Sequence, residues 1–360
     1  MHEIQDFKAA VTAIEYYLPA TVVTNQELAS EFPDWQIEKI AEKTGIEQRH
    51  IAAPCECSSD LAAAAAGKLF DSGLVDPAEI DVLLLCTQSP DYILPTTACL
   101  LQHRLGIPTT SAALDFNLGC SGFVYGLGLA KGLIETGQAR RVLLLTADTY
   151  SKFICPSDRS VRVLFGDGAA ATLIEGVPAE PGILYIEPPT WGTDGRGATN
   201  LIVPHGGARS LFKSAQPQNG QAPRLHMNGA EVFNFTAERV PELVEDVLRK
   251  HGQSIEDIDL FVFHQASRML LDHLRRKLHI PPERFCIALE DCGNTVSSTI
   301  PIALHRAFAT GLLRPGNSVL LAGFGVGYSW AGTIIRWPNL TPSDRERAPQ
   351  GVTRRDEVHS

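Results

Sequence analysis

The fold of this chain is decided by the stretch Glu79-Ile-Asp-Val-Leu-Leu-Leu-Cys-Thr-Gln-Ser89, which returns in similar form as Asp257-Ile-Asp-Leu-Phe-Val-Phe-His-Gln-Ala-Ser267. Each copy has a short apolar run after an Ile-Asp pair, which is typical of a buried strand. Cys86 and His264 follow at the same position of the two copies. The repeat therefore predicts that these residues occupy equivalent strand ends, where ligands gather in open α/β sheets.

Two further matches follow in the same order along the chain. Arg141-Val-Leu-Leu-Leu-Thr146 is echoed by Ser318-Val-Leu-Leu-Ala322, and Phe165-Gly-Asp-Gly168 is echoed by Phe324-Gly-Val-Gly327. Longer Ala- and Leu-rich patterns with helical spacing separate the strand-like runs, which indicates an α/β protein. The sequence therefore predicts two duplicated halves that pack about a pseudo-twofold axis, with a cleft between corresponding loops.

The duplication also predicts the domain organisation. We expect an N-terminal half over residues 1–178, a C-terminal half over residues 182–337 and a polar tail over residues 338–360. Residues 191–224 are rich in Gly, Pro, Asn and Gln, which predicts a long loop over the site.

Composition excludes several classes of protein. The chain has 360 residues, 44% of them hydrophobic and 20% charged, and a net charge of -10, so nothing favours a nucleic-acid partner. The N-terminus lacks a secretory signal and no apolar run reaches the ~18 residues of a membrane span, so we expect a cytoplasmic protein without membrane contact. Cys55 and Cys57 form a lone C-x-C, and we expect no metal site.

The strongest chemical motif is Asp115-Phe-Asn-Leu-Gly-Cys-Ser-Gly-Phe123. The glycines that flank Cys120 allow a sharp turn from a strand into a helix, which places the thiol at the helix N-terminus. Helix dipoles and free N–H groups favour a thiolate there, so Cys120 is a candidate nucleophile. The alternative is a buried structural cysteine on a tight turn.

Two residues of the second half are candidate partners of Cys120. His264 follows a strand-like run, and Asn294 lies in Cys292-Gly-Asn-Thr-Val-Ser-Ser-Thr-Ile300, close to the Cys120 position of the first half. Alone, they would be interpreted as a core histidine and a helix N-cap. Together, the three residues make a nucleophile with two hydrogen-bond donors. The glycine-rich stretch 323–329 can add backbone N–H groups for an oxyanion.

These motifs, with Lys43-Thr-Gly-Ile-Glu-Gln-Arg-His-Ile51, resemble the β-ketoacyl-acyl-carrier-protein synthase III family of the thiolase superfamily. The resemblance extends over roughly residues 9–337. It implies a thiolase-like, five-layered αβαβα fold made of two duplicated halves, which agrees with the repeat.

The resemblance also implies an activity. Cys120 would take an acyl group from acyl-CoA, and a malonyl-type thioester would lose CO₂ and attack that acyl group to give a β-ketoacyl product. His264 and Asn294 would donate to the thioester oxygen, and the backbone N–H groups of Cys120 and Val326 would form a second oxyanion hole. No cofactor is implied beyond these substrates.

Binding residues carried over by the resemblance complete the expected site. Trp35 and Arg159 match a pair that holds the adenine of coenzyme A, and Lys43 matches a residue near its phosphates. Leu94 matches an acyl-pocket residue that the partner donates in a homodimer.

A basic stretch, made of Arg268, Arg275, Arg276 and Lys277, can dock an acyl carrier protein. Met269 and Asn234 stand where the family often has Arg and Lys, which departs from the usual carrier-binding pattern.

Several functions stay open from the sequence. The first is decarboxylating Claisen condensation in fatty-acid or secondary metabolism. The second is an acyltransferase that uses the same scaffold and moves the acyl group to an oxygen, nitrogen or sulfur nucleophile. A non-catalytic partner subunit is a third class.

Overall fold

The computed structural model describes residues 7–32, 37–179, 182–204, 206–211 and 224–338. Its strands are β1 (Phe7–Tyr17), β2 (Thr21–Thr24), β3 (Gln48–Ile51), β4 (Val82–Cys86), β5 (Ala112–Phe116), β6 (Arg141–Asp148), β7 (Gly168–Pro178), β8 (Thr190–Thr193), β9 (Leu201–Ile202), β10 (His226–Met227), β11 (Leu260–Phe263), β12 (Ser318–Gly325) and β13 (Ser329–Arg336). Its α-helices are α1 (Asn25–Glu31), α2 (Ile37–Thr44), α3 (Ser58–Asp71), α4 (Thr97–Arg104), α5 (Gly122–Glu135), α6 (Arg159–Arg162), α7 (Ala208–Leu211), α8 (Gly229–His251), α9 (Arg268–Lys277) and α10 (Thr299–Ala309).

Each half contributes one sheet. The first sheet has the strand order β1-β7-β6-β4-β5, and the second has the order β11-β12-β13-β8. In both sheets the repeated apolar runs are neighbouring parallel strands, β4 beside β6 and β11 beside β12. The predicted repeat is therefore a repeat of strand pairing as well as of sequence.

The repeated Ile-Asp pair has a structural cause. Asp81 accepts the backbone N–H of Arg141 at 2.9 Å, and Asp259 accepts that of Ser318 at 2.8 Å. Both carboxylates thus bind the first residue of a neighbouring parallel strand, β6 in the first sheet and β12 in the second. This shared contact explains why an aspartate precedes the apolar run in both copies.

Layering follows from the alternation of side chains along the strands. Leu84 and Val262 face inward and pack with residues of α5 and α10, such as Leu127 and Leu304, in one central core. Their neighbours face outward, toward α3 and α4 on the first sheet and toward α8 and α9 on the second. Two central helices between two sheets, covered by outer helices, confirm the five-layered αβαβα fold.

The prediction of a long loop over residues 191–224 is partly wrong. Thr190–Thr193 forms β8, which pairs antiparallel with β13 and completes the second sheet. The glycine in Trp191-Gly-Thr193 misled the prediction, since it accommodates the ring of Trp330 rather than a turn. Among the described residues, no helix is both long enough and apolar enough to cross a bilayer. Residues 339–360 of the expected tail lie outside the described residues.

Candidate functional site

Cys120 lies on the tight turn between β5 and α5. The turn is closed by the Gly122 N–H, which donates to the Gly119 carbonyl at 2.8 Å, and α5 begins at Gly122. Cys120 is 6% exposed. A methyl group at Gly325 would lie 3.1 Å from the Cys120 sulfur, so glycine at this position keeps the space beside the thiol open.

Burial works against the thiolate that the sequence favours at Cys120. It raises the pKa of the Cys120 thiol well above its ordinary value, and the buried carboxyl of Asp148 adds to the rise. Because Cys120 is almost fully buried, the cost of a buried charge opposes the help of the helix N-terminus.

Asp148, at the end of β6, joins the two halves beside this thiol. Its carboxylate accepts the Gln88 N–H at 2.8 Å and, from the other half, both the N–H and the hydroxyl of Ser297. Burial raises the pKa of Asp148 to about 7, although these hydrogen bonds oppose the rise.

His264 lies at the end of β11, where its N–H donates to the Ala322 carbonyl at 2.8 Å. The ring is 2% exposed and packs edge-on against Phe324, with centroids 5.5 Å apart. Burial lowers the pKa of His264 to about 3, so the ring is neutral at working pH. Its Nδ1 lies 2.7 Å from the hydroxyl of Thr299 at the start of α10.

Asn294 is fixed with its NH₂ group toward His264. Its side-chain oxygen accepts the Val296 N–H at 2.9 Å, which leaves Nδ2 3.5 Å from His264 Nε2. Val296 has φ 56°, a left-handed conformation that costs a β-branched residue free energy. The turn therefore holds the amide in one orientation at the expense of local strain.

Cys120, His264 and Asn294 line one cavity of about 550 Å³. The three residues predicted to act together thus converge, although they come from strand ends and turns of both halves. Val326, which follows β12, packs in the same apolar cluster as Cys120. The described residues include no group of three or more His, Cys, Asp or Glu side chains arranged to hold a metal ion.

The predicted coenzyme A residues are only partly placed together. Lys43 is exposed at the end of α2 and lines the cavity that holds Cys120. The Arg159 guanidinium lies 4.7 Å from the ring centroid of Phe32, and Arg162, which pairs with Glu31, lies over the same ring. Trp35 lies outside the described residues, so its pairing with Arg159 stays a prediction.

Leu94 lies on the surface of the protein. Its side chain is 80% exposed, and those of Tyr92 and Ile93 are 60% and 79% exposed. Leu94 does not line the cavity of Cys120. Three adjoining apolar side chains in solvent are typical of a contact with another chain.

The four predicted docking residues differ in their exposure to solvent and in their hydrogen bonds. Arg268 is half exposed and lies across Gly45, next to Met269 at the edge of the Cys120 cavity. Arg275 is largely covered and donates to the Ile280 carbonyl. Arg276 and Lys277 are exposed and donate to the carbonyls of Asp272 and Ala237. None of the four lines the cavity, and only Arg268 is adjacent in sequence to residues that do, Ser267 and Met269.

Sequence reasoning missed Thr299, Asp148 and Phe32. Asp148 had a usable signal, because it ends a repeated strand-like run as Cys86 does. Thr299 and Phe32 had none, since their roles depend on turns that bring distant residues together.

Comparisons with known proteins agree with this geometry. The sequence pattern of 3-oxoacyl-[acyl-carrier-protein (ACP)] synthase III matches residues 114–195, and its C-terminal pattern matches residues 248–337. The beta-ketoacyl-[acyl-carrier-protein] synthase III of Caldanaerobacter subterraneus subsp. tengcongensis is 36% identical over 91% of this chain and 98% of its own length.

The solved structures that this chain resembles are also condensing enzymes. A crystal structure of a 3-oxoacyl-(acyl-carrier-protein) synthase III is 53% identical with a TM-score of 0.87, covering 91% of this chain and 99% of that one. The priming beta-ketosynthase of the R1128 polyketide pathway is 29% identical with a TM-score of 0.85, covering 94% of this chain and 98% of that one. The chain therefore belongs to the 3-oxoacyl-[acyl-carrier-protein] synthase III family of condensing enzymes.

Proposed function

We propose that this enzyme joins a Cys120-bound acyl group to a malonyl-type thioester by decarboxylating Claisen condensation, in fatty-acid or secondary metabolism. The observation that supports it best is the pair of neutral polar groups, the His264 imidazole and the Asn294 amide, whose Nε2 and Nδ2 atoms lie 3.5 Å apart in the cavity of Cys120. Neutral donors suit an enolate, because they stabilise its developing charge without protonating it.

In the first half-reaction, Cys120 is acylated. Its sulfur attacks the carbonyl carbon of acyl-CoA, the new S–C bond forms and the bond to the CoA sulfur breaks. The thiol proton leaves with the CoA thiolate, which departs as a thiol. The N–H groups of Cys120 and Val326 stabilise the tetrahedral intermediate, and a positioned donor of this kind contributes about 2.7–4 kcal/mol.

In the second half-reaction, the malonyl thioester places its carbonyl oxygen between His264 and Asn294. Loss of CO₂ leaves an enolate whose carbon attacks the acyl carbonyl on Cys120. The new C–C bond forms, the C–S bond to Cys120 breaks, and the released thiolate takes a proton from solvent to restore the thiol. Donation from His264 requires a proton on Nε2 and therefore a hydrogen bond accepted at Nδ1. The Thr299 hydroxyl lies 2.7 Å from Nδ1 and 3.1 Å from the Val296 carbonyl, so in the reactive state its proton must turn from that carbonyl to Nδ1.

Delivery of the substrates follows from the cavity. Lys43 and Arg159 would hold the nucleotide of coenzyme A, together with Trp35. Arg268, with Arg275, Arg276 and Lys277 behind it, would meet an acidic acyl carrier protein at the rim.

A homodimer is the proposed assembly. Strand β5 is the last strand of its sheet and exposes 41% of Leu114, and the loop Tyr92–Leu94 exposes apolar side chains. A second copy of the chain would pair with the strand edge and cover the apolar loop. Leu94 would then reach the acyl cavity of the partner.

The test is a malonyl thioester labelled at the free carboxyl, incubated with acyl-CoA and the enzyme. Condensation predicts release of labelled CO₂ in step with a ketoacyl product. Turnover only on addition of an alcohol, amine or thiol, without CO₂, would instead support simple acyl transfer.

A further inference from the structure

A second cavity of about 760 Å³ adjoins the one that holds Cys120. Leu201 lines both cavities, and Val326 lies on the second. A methyl group at Gly119, the residue before the nucleophile, would meet both Gln88 and Val326. An acyl chain attached to the Cys120 sulfur can therefore pass Leu201 and extend along Gln88.

The wall of this second cavity is largely apolar, and its polar lining residues include Asp91 and a row of hydrogen-bonding groups formed by Gln88, Asn117 and Tyr150. The Tyr150 hydroxyl donates to the Gln88 side-chain oxygen, and the Gln88 NH₂ group donates to the Asn117 oxygen at 3.2 Å. Tyr150 is 4% exposed, so Gln88 is held from its buried side.

These contacts leave hydrogen-bonding capacity unused. A glutamine amide offers two N–H donors and two lone pairs, and Gln88 uses one of each within the row. Asn117 is exposed to solvent, so the unused capacity that matters for a bound chain is that of the partly buried Gln88 amide. A plain alkyl chain would cover this amide without bonding it, which is unfavourable.

We propose that the acyl group carried by Cys120 bears a hydroxyl or oxo substituent near its thioester, and that the Gln88 amide binds this substituent. The inference rests on the proposed function and names its substrate class. Gln88 contacts the backbone beside Cys120, so the atom it reaches is close to the carbonyl, which favours a 3-substituted acyl chain. In the proposed dimer, the partner's loop would cover the part of the cavity near Tyr92 and leave Gln88 free to bind the substituent.

The experiment measures acylation of Cys120 by intact-protein mass spectrometry, with 3-hydroxybutanoyl-CoA and butanoyl-CoA as matched donors. We expect the wild type to react about tenfold more efficiently with the hydroxylated donor, a difference of about 1.4 kcal/mol. Gln88→Met keeps the length of the side chain without its amide and should bring the ratio to one or below. Tyr150→Phe, which frees the Gln88 oxygen, should lower the ratio less.

The control is Gln138→Met, the same change at an exposed residue after α5. It should keep the wild-type ratio. A wild type that prefers butanoyl-CoA, or a preference that survives Gln88→Met, would overturn the inference while leaving acylation and condensation intact. Absence of any acyl-enzyme with either donor would instead contradict the proposed function itself.

Discussion

The turn that carries Cys120 and the turn that carries Asn294 occupy similar places in the two halves, yet they are built for opposite tasks. The first precedes α5 and buries a thiol beside the Asp148 carboxyl, and both effects raise the pKa of that thiol. The second precedes α10 and fixes a neutral amide beside a neutral imidazole. One scaffold thus supplies a nucleophile from one half and donors from the other.

The strand ends show the same divergence. Cys86 ends β4 and donates to the Leu118 carbonyl at 2.7 Å, so it supports the nucleophile's turn. Its counterpart His264 faces the cavity. Duplication therefore preserved strand pairing and the Asp81 and Asp259 contacts, while side chains at the equivalent ends took separate roles.

The largest effect is expected from removing the nucleophile of the first half. Cys120→Ala should abolish the acyl-enzyme and lower condensation by about 10³-fold or more, because among the described residues no other cysteine lines the cavity. Mass spectrometry after exposure to acyl-CoA measures the adduct. Cys155→Ala, a change at a cysteine outside the cavity, is the control. An adduct that persists in Cys120→Ala would refute the assignment.

Removing a donor of the second half should have the next largest effect. Asn294→Ala or His264→Ala is expected to lower decarboxylation by about 10²–10³-fold, since each takes away one bond to the enolate oxygen. Acylation of Cys120 should survive in both variants. Equal losses of acylation and decarboxylation would mean that the halves are not specialised as described.

A smaller effect is expected at Thr299, which positions His264 rather than touching substrate. Thr299→Val keeps the shape but loses the hydroxyl, and decarboxylation should fall about tenfold, the equivalent of one hydrogen bond. Thr299→Ser should restore most of the rate. If the serine variant is as slow as the valine variant, packing rather than the hydrogen bond accounts for the loss.

The smallest expected effect is that of pH on the donor pair. Burial lowers the pKa of His264 to about 3, so the imidazolium form appears only near that pH and the neutral donor persists above it. The rate of malonyl decarboxylation should therefore show no histidine limb between pH 5 and 8. A drop in rate near pH 6.5 that persists in Asp148→Asn would show that His264 is exposed enough to charge, because the raised pKa of Asp148, about 7, lies in the same range.

The sequence predicted the parts of the molecule that depend on local patterns. The apolar runs ending at Cys86 and His264, and the glycines around Cys120, indicated strands, halves and the residues that meet in the cavity. The five-layered fold was predicted through the family resemblance, and the structure confirms it.

The rest depends on contacts that no local pattern records. The raised pKa of Cys120 arises from burial and from Asp148. The glycine before Thr193 looked like a turn although it lies in strand β8. The orientation of Asn294 depends on the left-handed backbone of Val296, a conformation that valine rarely adopts and that the sequence therefore does not predict. Composition and periodicity do not carry such information.

The most direct test of the division between the halves is release of labelled CO₂ from a carboxyl-labelled malonyl thioester by Cys120→Ala. The donor pair of His264 and Asn294 stays in place in this variant, so we predict that CO₂ is still released although no acyl-enzyme and no ketoacyl product form. Loss of CO₂ release together with acylation would contradict the account, because decarboxylation would then depend on the nucleophile of the other half.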